Sequence, residues 1–303
     1  MFRNFRVTFA FTFALIGAIM LYGCGGGGGA STSTSSTGGT ISGTVVKGPV
    51  SGATAIAYSI TNGTMGSAIA SAMTDTAGNF TMTVGDYGGP VMLLMSGGTY
   101  TDEATGATMT MHGGDVMTSV ISSMMSGATM TGIHVTPLTS MAQVRAEHMT
   151  GGMTDSNINS ANDAVGNYFM VSDILHTTPM NPLEPGSGAV ATTDMRNYGM
   201  AIAAMSQEAK DLGMTSSSGM VTAMMDDASD GLMNGMTGTT QISMTGMGGM
   251  MGGGTMMQST AGTSGLATAM TEFMNNLSVN LSGLTTSDLS SLMSKMTGSS
   301  GAL

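Results

Sequence analysis

The stretches "GTVVKGPVSGATAIAYSI" at residues 43–60 and "TDTAGNFTMTV" at residues 74–84 decide how the first half of this chain folds. In the first, Ile56, Tyr58 and Ile60 alternate with small or polar residues; in the second, Phe80, Met82 and Val84 do the same. Side chains two positions apart share one face of a strand, so this alternation reads as half-buried β-structure. Gly48-Pro49 and the run from Asp75 to Gly78 supply turns between strands. "ISGTVV" from Ile41, "VMLLMS" from Val91, "ATMTMH" from Ala107 and "GIHVTP" from Gly132 have the same short, turn-bounded form. Several short strands at this spacing predict an antiparallel β-sandwich over residues 41–137.

The order of these pieces resembles the carboxypeptidase-regulatory-like family of transthyretin-like sandwiches. There a first strand leads through a Gly-Pro turn to an alternating strand, and a T-D-x-x-G-x-F turn opens the next. Here that turn is Thr74, Asp75, Gly78 and Phe80. The resemblance implies a binding or spacing module, not a peptidase.

Beyond Pro137 the apolar period changes. Met195, Tyr198, Ile202, Met205, Ala209 and Leu212 form a stripe along one helix face, with Asp194 as a candidate N-cap and Gly213 as a stop. Ile158, Ala161, Val165 and Tyr168 form another behind Asp155 and Ser156. Leu266, Met270, Phe273 and Leu277 follow Ser264, and Leu289, Leu292 and Met296 mark a last short helix behind Ser287. The fold class expected is α+β: the sandwich, a helical connector over residues 139–149, and a Met-rich helical domain filling residues 138–303 with a Gly/Met-rich loop at 233–262.

Upstream of the sandwich, residues 24–40 are a Gly/Ser/Thr run that has nothing to bury and reads as a flexible tether. Residues 1–23 begin with the basic "MFRNFR" and continue into the uncharged "VTFAFTFALIGAIMLYG", the order of a secretory signal peptide. The run ends "LYGC", and Cys24 is the only cysteine of the chain. This resembles the lipobox of bacterial lipoproteins, which implies lipidation at Cys24 and a membrane partner reached through that lipid. Gly25 resembles the residue that such proteins carry when sent to the outer membrane. A single cysteine also leaves no disulfide framework.

Net charge is −11, and beyond Arg6 only five basic side chains face eighteen acidic ones. Such a surface repels phosphate backbones and excludes nucleic acid as a partner. An envelope protein or polysaccharide is the partner class that remains.

Methionine is the strangest part of the composition. From Cys24 onward there are 35 Met against 14 Leu. Met82, Met95, Met195, Met205, Met270 and Met296 fall where a strand or helix needs an apolar side chain, and read as core packing. "MTGMGGMMGGGTMM", residues 244–257, has no such periodicity. Soft thioethers select Cu(I) or Ag(I) over hard cations. Met-x-x-Met pairs resemble the Met motifs of copper-handling envelope proteins, which makes Met244, Met247, Met250, Met251, Met256 and Met257 candidate Cu(I) ligands. A compositionally biased loop is the alternative.

Other constellations are weaker. Met109, Met111 and His112 lie close in sequence, but on a strand His112 points away from both methionines. Asp226, Asp230, Gly231 and Asn234 fall at roughly the steps of a calcium loop, yet Ala228 fills a ligand position and Thr237 stands where a bidentate Glu is needed. Lys47 raises the isopeptide-bonded sandwiches of Gram-positive adhesins, but the last strand offers no Asn, so a solvated lysine is expected. Asp102 and Glu103 are adjacent and read as a polar hairpin tip. There is no Gly-x-Ser-x-Gly elbow, phosphate loop or His-Glu-x-x-His, and the four His at 112, 134, 148 and 176 are scattered.

The sequence thus predicts a non-enzymatic cell-envelope lipoprotein, on the outer membrane or cell surface, acting in display, adhesion or scaffolding. The alternatives are an envelope soft-metal protein using the Met-rich loop, and a hydrolase with an accessory sandwich.

Overall fold

The computed structural model describes residues 38–111, 113–244 and 256–303. The leader, Cys24, most of the tether, His112 and the loop methionines Met247, Met250 and Met251 lie outside the described residues. The fold is α+β, with strands first and helices after.

Among the described residues nine strands precede the first helix: β1 (Gly39–Val45), β2 (Thr54–Thr61), β3 (Thr64–Met73), β4 (Asn79–Gly85), β5 (Gly89–Ser96), β6 (Thr99–Thr101), β7 (Thr108–Thr110), β8 (Val116–Met124) and β9 (Thr129–Val135). Strand β1 begins two residues before Ile41, inside the expected tether. One sheet has the order β4-β1-β9 and the other β3-β2-β5-β8, with β6 and β7 as a separate hairpin. Every pairing is antiparallel except β1 with β9. Gly43 allows that parallel pair, because a Cβ there would sit 1.7 Å from the Ile133 carbonyl oxygen.

The two sheets face each other over a core of Ile41, Val45, Phe80, Met82, Leu93, Met95, Met117 and Ile133. Small Ala55 and Ala57 are the residues of β2 that point into this core. The larger Tyr58 and Ile60 belong instead to a second core, with Met92, Leu94 and Val120. Strand β5 therefore feeds one core with Val91, Leu93 and Met95 and the other with Met92 and Leu94. A strand buried on both faces reads as a continuous apolar run, which is why "VMLLMS" does not alternate.

The second core is closed by helices. These are α1 (Pro137–His148), α2 (Asp155–Tyr168), α3 (Ser187–Val190), α4 (Thr193–Asp211), α5 (Ser218–Ala228), α6 (Ser264–Asn275) and α7 (Ser290–Thr297). A two-residue ribbon, β10 (Met236–Thr237) with β11 (Thr240–Gln241), lies between α5 and α6. Far from being a connector, α1 docks on β8: Thr139 Oγ1 donates to the Thr118 carbonyl at 2.8 Å, and the Thr118 amide donates to Ser140 Oγ at 2.8 Å. Its start is fixed by Pro137 at the first position and by a capping box in which Thr136 and Thr139 exchange side-chain-to-backbone bonds.

Threonines one and two residues upstream of the expected positions cap the next long helices. Thr154 caps α2 and Thr192 caps α4. Asp194 instead accepts the Ser172 amide at 2.8 Å, pinning the loop after α2. Gly213 ends α4 as expected, at φ +68°, with its amide on the Lys210 carbonyl and the Met214 amide on the Ala209 carbonyl. Leu277 is the one member of its stripe that falls beyond α6, and it is 76% exposed.

The switch of period at Pro137 is a change of element type and not a break between compact units. Residues 36–303 form one unit. Helices cover the outer face of the four-stranded sheet, so strands and helices share a core across Pro137.

Candidate functional site

Lys47 sits in the tight turn between β1 and β2, where Val46 bridges to Pro49. Gly48 has φ +61°, and a Cβ there would lie 2.2 Å from the Thr101 carbonyl oxygen, so glycine lets this turn press against β6. The lysine is thereby carried inward: it is fully buried, not solvated. Its Nζ donates to Glu103 Oε2 at 2.7 Å and to Ser206 Oγ, while Ser206 donates to the same Glu103 oxygen at 2.6 Å. The Tyr100 ring centroid is 5.4 Å from the ammonium, within cation–π range.

The network continues from there. Asp102 Oδ2 accepts Ser217 Oγ at 2.5 Å, and the Tyr100 hydroxyl lies 3.0 Å from Ser216 Oγ and 3.1 Å from Ser217 Oγ. Asp115 takes Ser218 Oγ at 2.6 Å and Thr222 Oγ1 at 3.2 Å. Three acids from the strand half thus meet hydroxyls from α4, α5 and the segment between them. Asp102 and Glu103 are buried rather than a polar hairpin tip. Being adjacent, they reach different partners, Ser217 and Ser206.

Burial alone would push the Lys47 ammonium down, but Glu103, Asp102 and Tyr100 around it, with the bond to Glu103, carry it above its ordinary value. A lysine held charged has no lone pair with which to take the Ser206 proton. The arrangement works as a clamp between strands and helices.

Beside this network lies a cavity of about 390 Å³. Val46 and Pro49 of the β1–β2 turn, Met180, Ala191 and Ile202 form its apolar walls, and Glu103 is among its lining residues. Val190, 87% exposed, stands at its edge. An apolar cavity of a few hundred Å³ with a convergent polar group has the form of a small-molecule site.

The Met-rich loop divides. Met244 and Met257 are buried in the helical core, 2% and 0% exposed. The Met257 amide bonds to the Ile242 carbonyl at 2.8 Å and Ser243 bridges to Met256, so the loop's two ends are joined. These two thioethers pack against other apolar side chains, where a metal ion would have to displace them. Met256 is 43% exposed. Met111 is buried in the sandwich core and Met109 packs against it. Among the described residues, no group of three or more His, Cys, Asp or Glu is placed to hold a metal ion.

The calcium-like segment has a different use. Asp227, which the spacing argument passed over, turns inward and accepts the amides of Asn234, Gly235 and Met236 at 2.9, 2.6 and 3.2 Å. Asp230 accepts those of Leu232 at 2.9 Å and Gly238 at 2.7 Å. These carboxylates organise the turn after α5.

Comparison with known proteins adds little. No family model matches the chain, and no curated protein matches it. Among solved structures, it is similar to a 9R-lipoxygenase from Cyanothece PCC8801 at 10% identity and a TM-score of 0.20, over 67% of this chain and 26% of that one. The chain thus spans about a quarter of that enzyme's length, and a likeness of this size carries no argument about fold or chemistry.

Proposed function

We propose that this chain is a lipid-anchored, non-enzymatic module of the cell envelope that displays one compact folded unit at the end of a tether. The observation that carries this reading is the buried clamp of Lys47, Glu103 and Ser206, extended through Asp102 to Ser217. It spends the most chemically suggestive side chains of the chain on holding strands and helices together. A display or scaffolding part needs that kind of cohesion. The first described strand begins at Gly39, within the Gly/Ser/Thr run that follows Cys24. Among the described residues no helix is long and apolar enough to cross a membrane. In this reading attachment comes from acyl chains on Cys24, and the partner displayed to is an envelope protein or polysaccharide.

Membrane fractionation tests it. One acyl chain of myristoyl size holds a protein only marginally, whereas two or more hold it stably. The full chain should stay with membranes through detergent-free washing, and Cys24→Ala should be released. Equal retention of both would remove the anchor from the proposal.

A further inference from the structure

The cavity beside the clamp has a definite chemical bias. Pro49, Pro179 and Pro182 lie in its wall, and a proline has no amide hydrogen to offer. Its charged lining residues are Glu103 and Glu184, with no Lys, Arg or His among them. Glu103 is 3% exposed. Both of its hydrogen bonds fall on Oε2, from Lys47 and Ser206, and among the described residues Oε1 takes none. Oε1 is not among the buried polar atoms left without a partner, so it is reachable from solvent, and a donor entering from the cavity could take the place of water there.

We propose that this cavity binds a small neutral amphiphile, an apolar body carrying a hydroxyl head, with the hydroxyl donating to Glu103. The choice of head follows from the charges. A carboxylate would face Glu103 and Glu184 with no cation of its own. An ammonium would enter beside Lys47, which already neutralises Glu103, and would lose its hydration in an apolar space. A hydroxyl supplies a donor to Oε1 and is the cheapest of the three to dehydrate. The apolar walls take the rest of the molecule. This inference is independent of the anchor, because nothing in it involves Cys24.

The test is calorimetric titration of the compact unit, residues 36–303, with 1-decanol below its solubility limit and with decanoate and decylammonium below their micellar concentrations. Decanol should bind once per chain, at least about tenfold tighter than either charged analogue. Two variants fill the cavity: Ala191→Phe inside it and Met195→Trp at its wall. Whichever keeps the parent's melting temperature should weaken decanol binding by about tenfold or more. Glu184→Gln should improve decanoate binding relative to decanol. Absence of decanol binding, equal binding of all three heads, or decanol binding untouched by a folded filling variant would each overturn the proposal.

Discussion

Removing one member of the Lys47–Glu103 pair should cost far more than removing both. In Glu103→Gln the Lys47 ammonium stays fully buried and keeps Tyr100 and Ser206 but loses its salt bridge. In Lys47→Met the carboxylate stays buried with Ser206 as its remaining donor. Stranding one charge of a buried pair costs about 3–5 kcal/mol, a fifth or more of the roughly 5–15 kcal/mol that holds a folded domain together. The double variant Lys47→Met/Glu103→Gln leaves no uncompensated charge, and its loss should be well below the sum of the two singles. The coupling energy expected is about 2–4 kcal/mol. Urea unfolding of residues 36–303 reads it directly. With a slope of about 3 kcal/mol per molar urea, each single variant should lower the midpoint by about 1 M or more, and the double should recover much of that. Additive losses, or a Glu103→Gln chain as stable as the parent, would refute the clamp.

Further predictions concern pH, the strand half and the loop. Burial, then the neighbouring Asp211 and Asp227, pushes the Glu208 carboxyl up to about 8, and burial raises Asp227 to about 6 despite its three backbone bonds. An acid whose folded value lies above its unfolded one holds its proton more tightly when folded, so stability should fall as pH rises from about 5 to about 8. The slope should amount to a few kcal/mol and flatten in Glu208→Gln; a melting temperature that rises over this range would contradict it. A fragment of residues 38–137 would expose Ile60, Met92 and Val120, about 1.5–3 kcal/mol each, so it should show no cooperative melt; a sharp thermal transition by circular dichroism would restore the two-domain reading. Met244→Ala or Met257→Ala should each cost about 2–5 kcal/mol in urea unfolding, whereas Met256→Ala should stay within about 0.5 kcal/mol; equal small effects at all three would deny the loop ends a packing role.

Local chemistry made some elements legible in the sequence. Alternation in "NFTMTV", the stripe from Met195 to Leu212 and the stop at Gly213 all depend on near neighbours, and the structure places them as that logic requires. Strand β3, "TMGSAIASAM", carries no strand signal in the sequence because it is an edge strand of small residues with no large apolar face. Strand β8 was hidden for the opposite reason: Met117 and Ile121 feed the sandwich core while Val120 feeds the helical one, so no alternation survives. The clamp was the hardest part to see. Lys47 lies 56 residues from Glu103 and 159 from Ser206, and only the fold brings them together. The one signal available was a rare lysine set in an apolar strand end before Gly-Pro. A charge there needs either solvent or a partner, and the sequence does not say which.

The central claim is that a lipid on Cys24 ties this unit to the envelope, and the most direct test is the intact mass of the protein extracted from membranes. The account predicts a chain that starts at Cys24 and carries a diacylglyceryl group, with or without a third acyl chain. A chain that retains residues 1–23, or one with an unmodified Cys24, would contradict it.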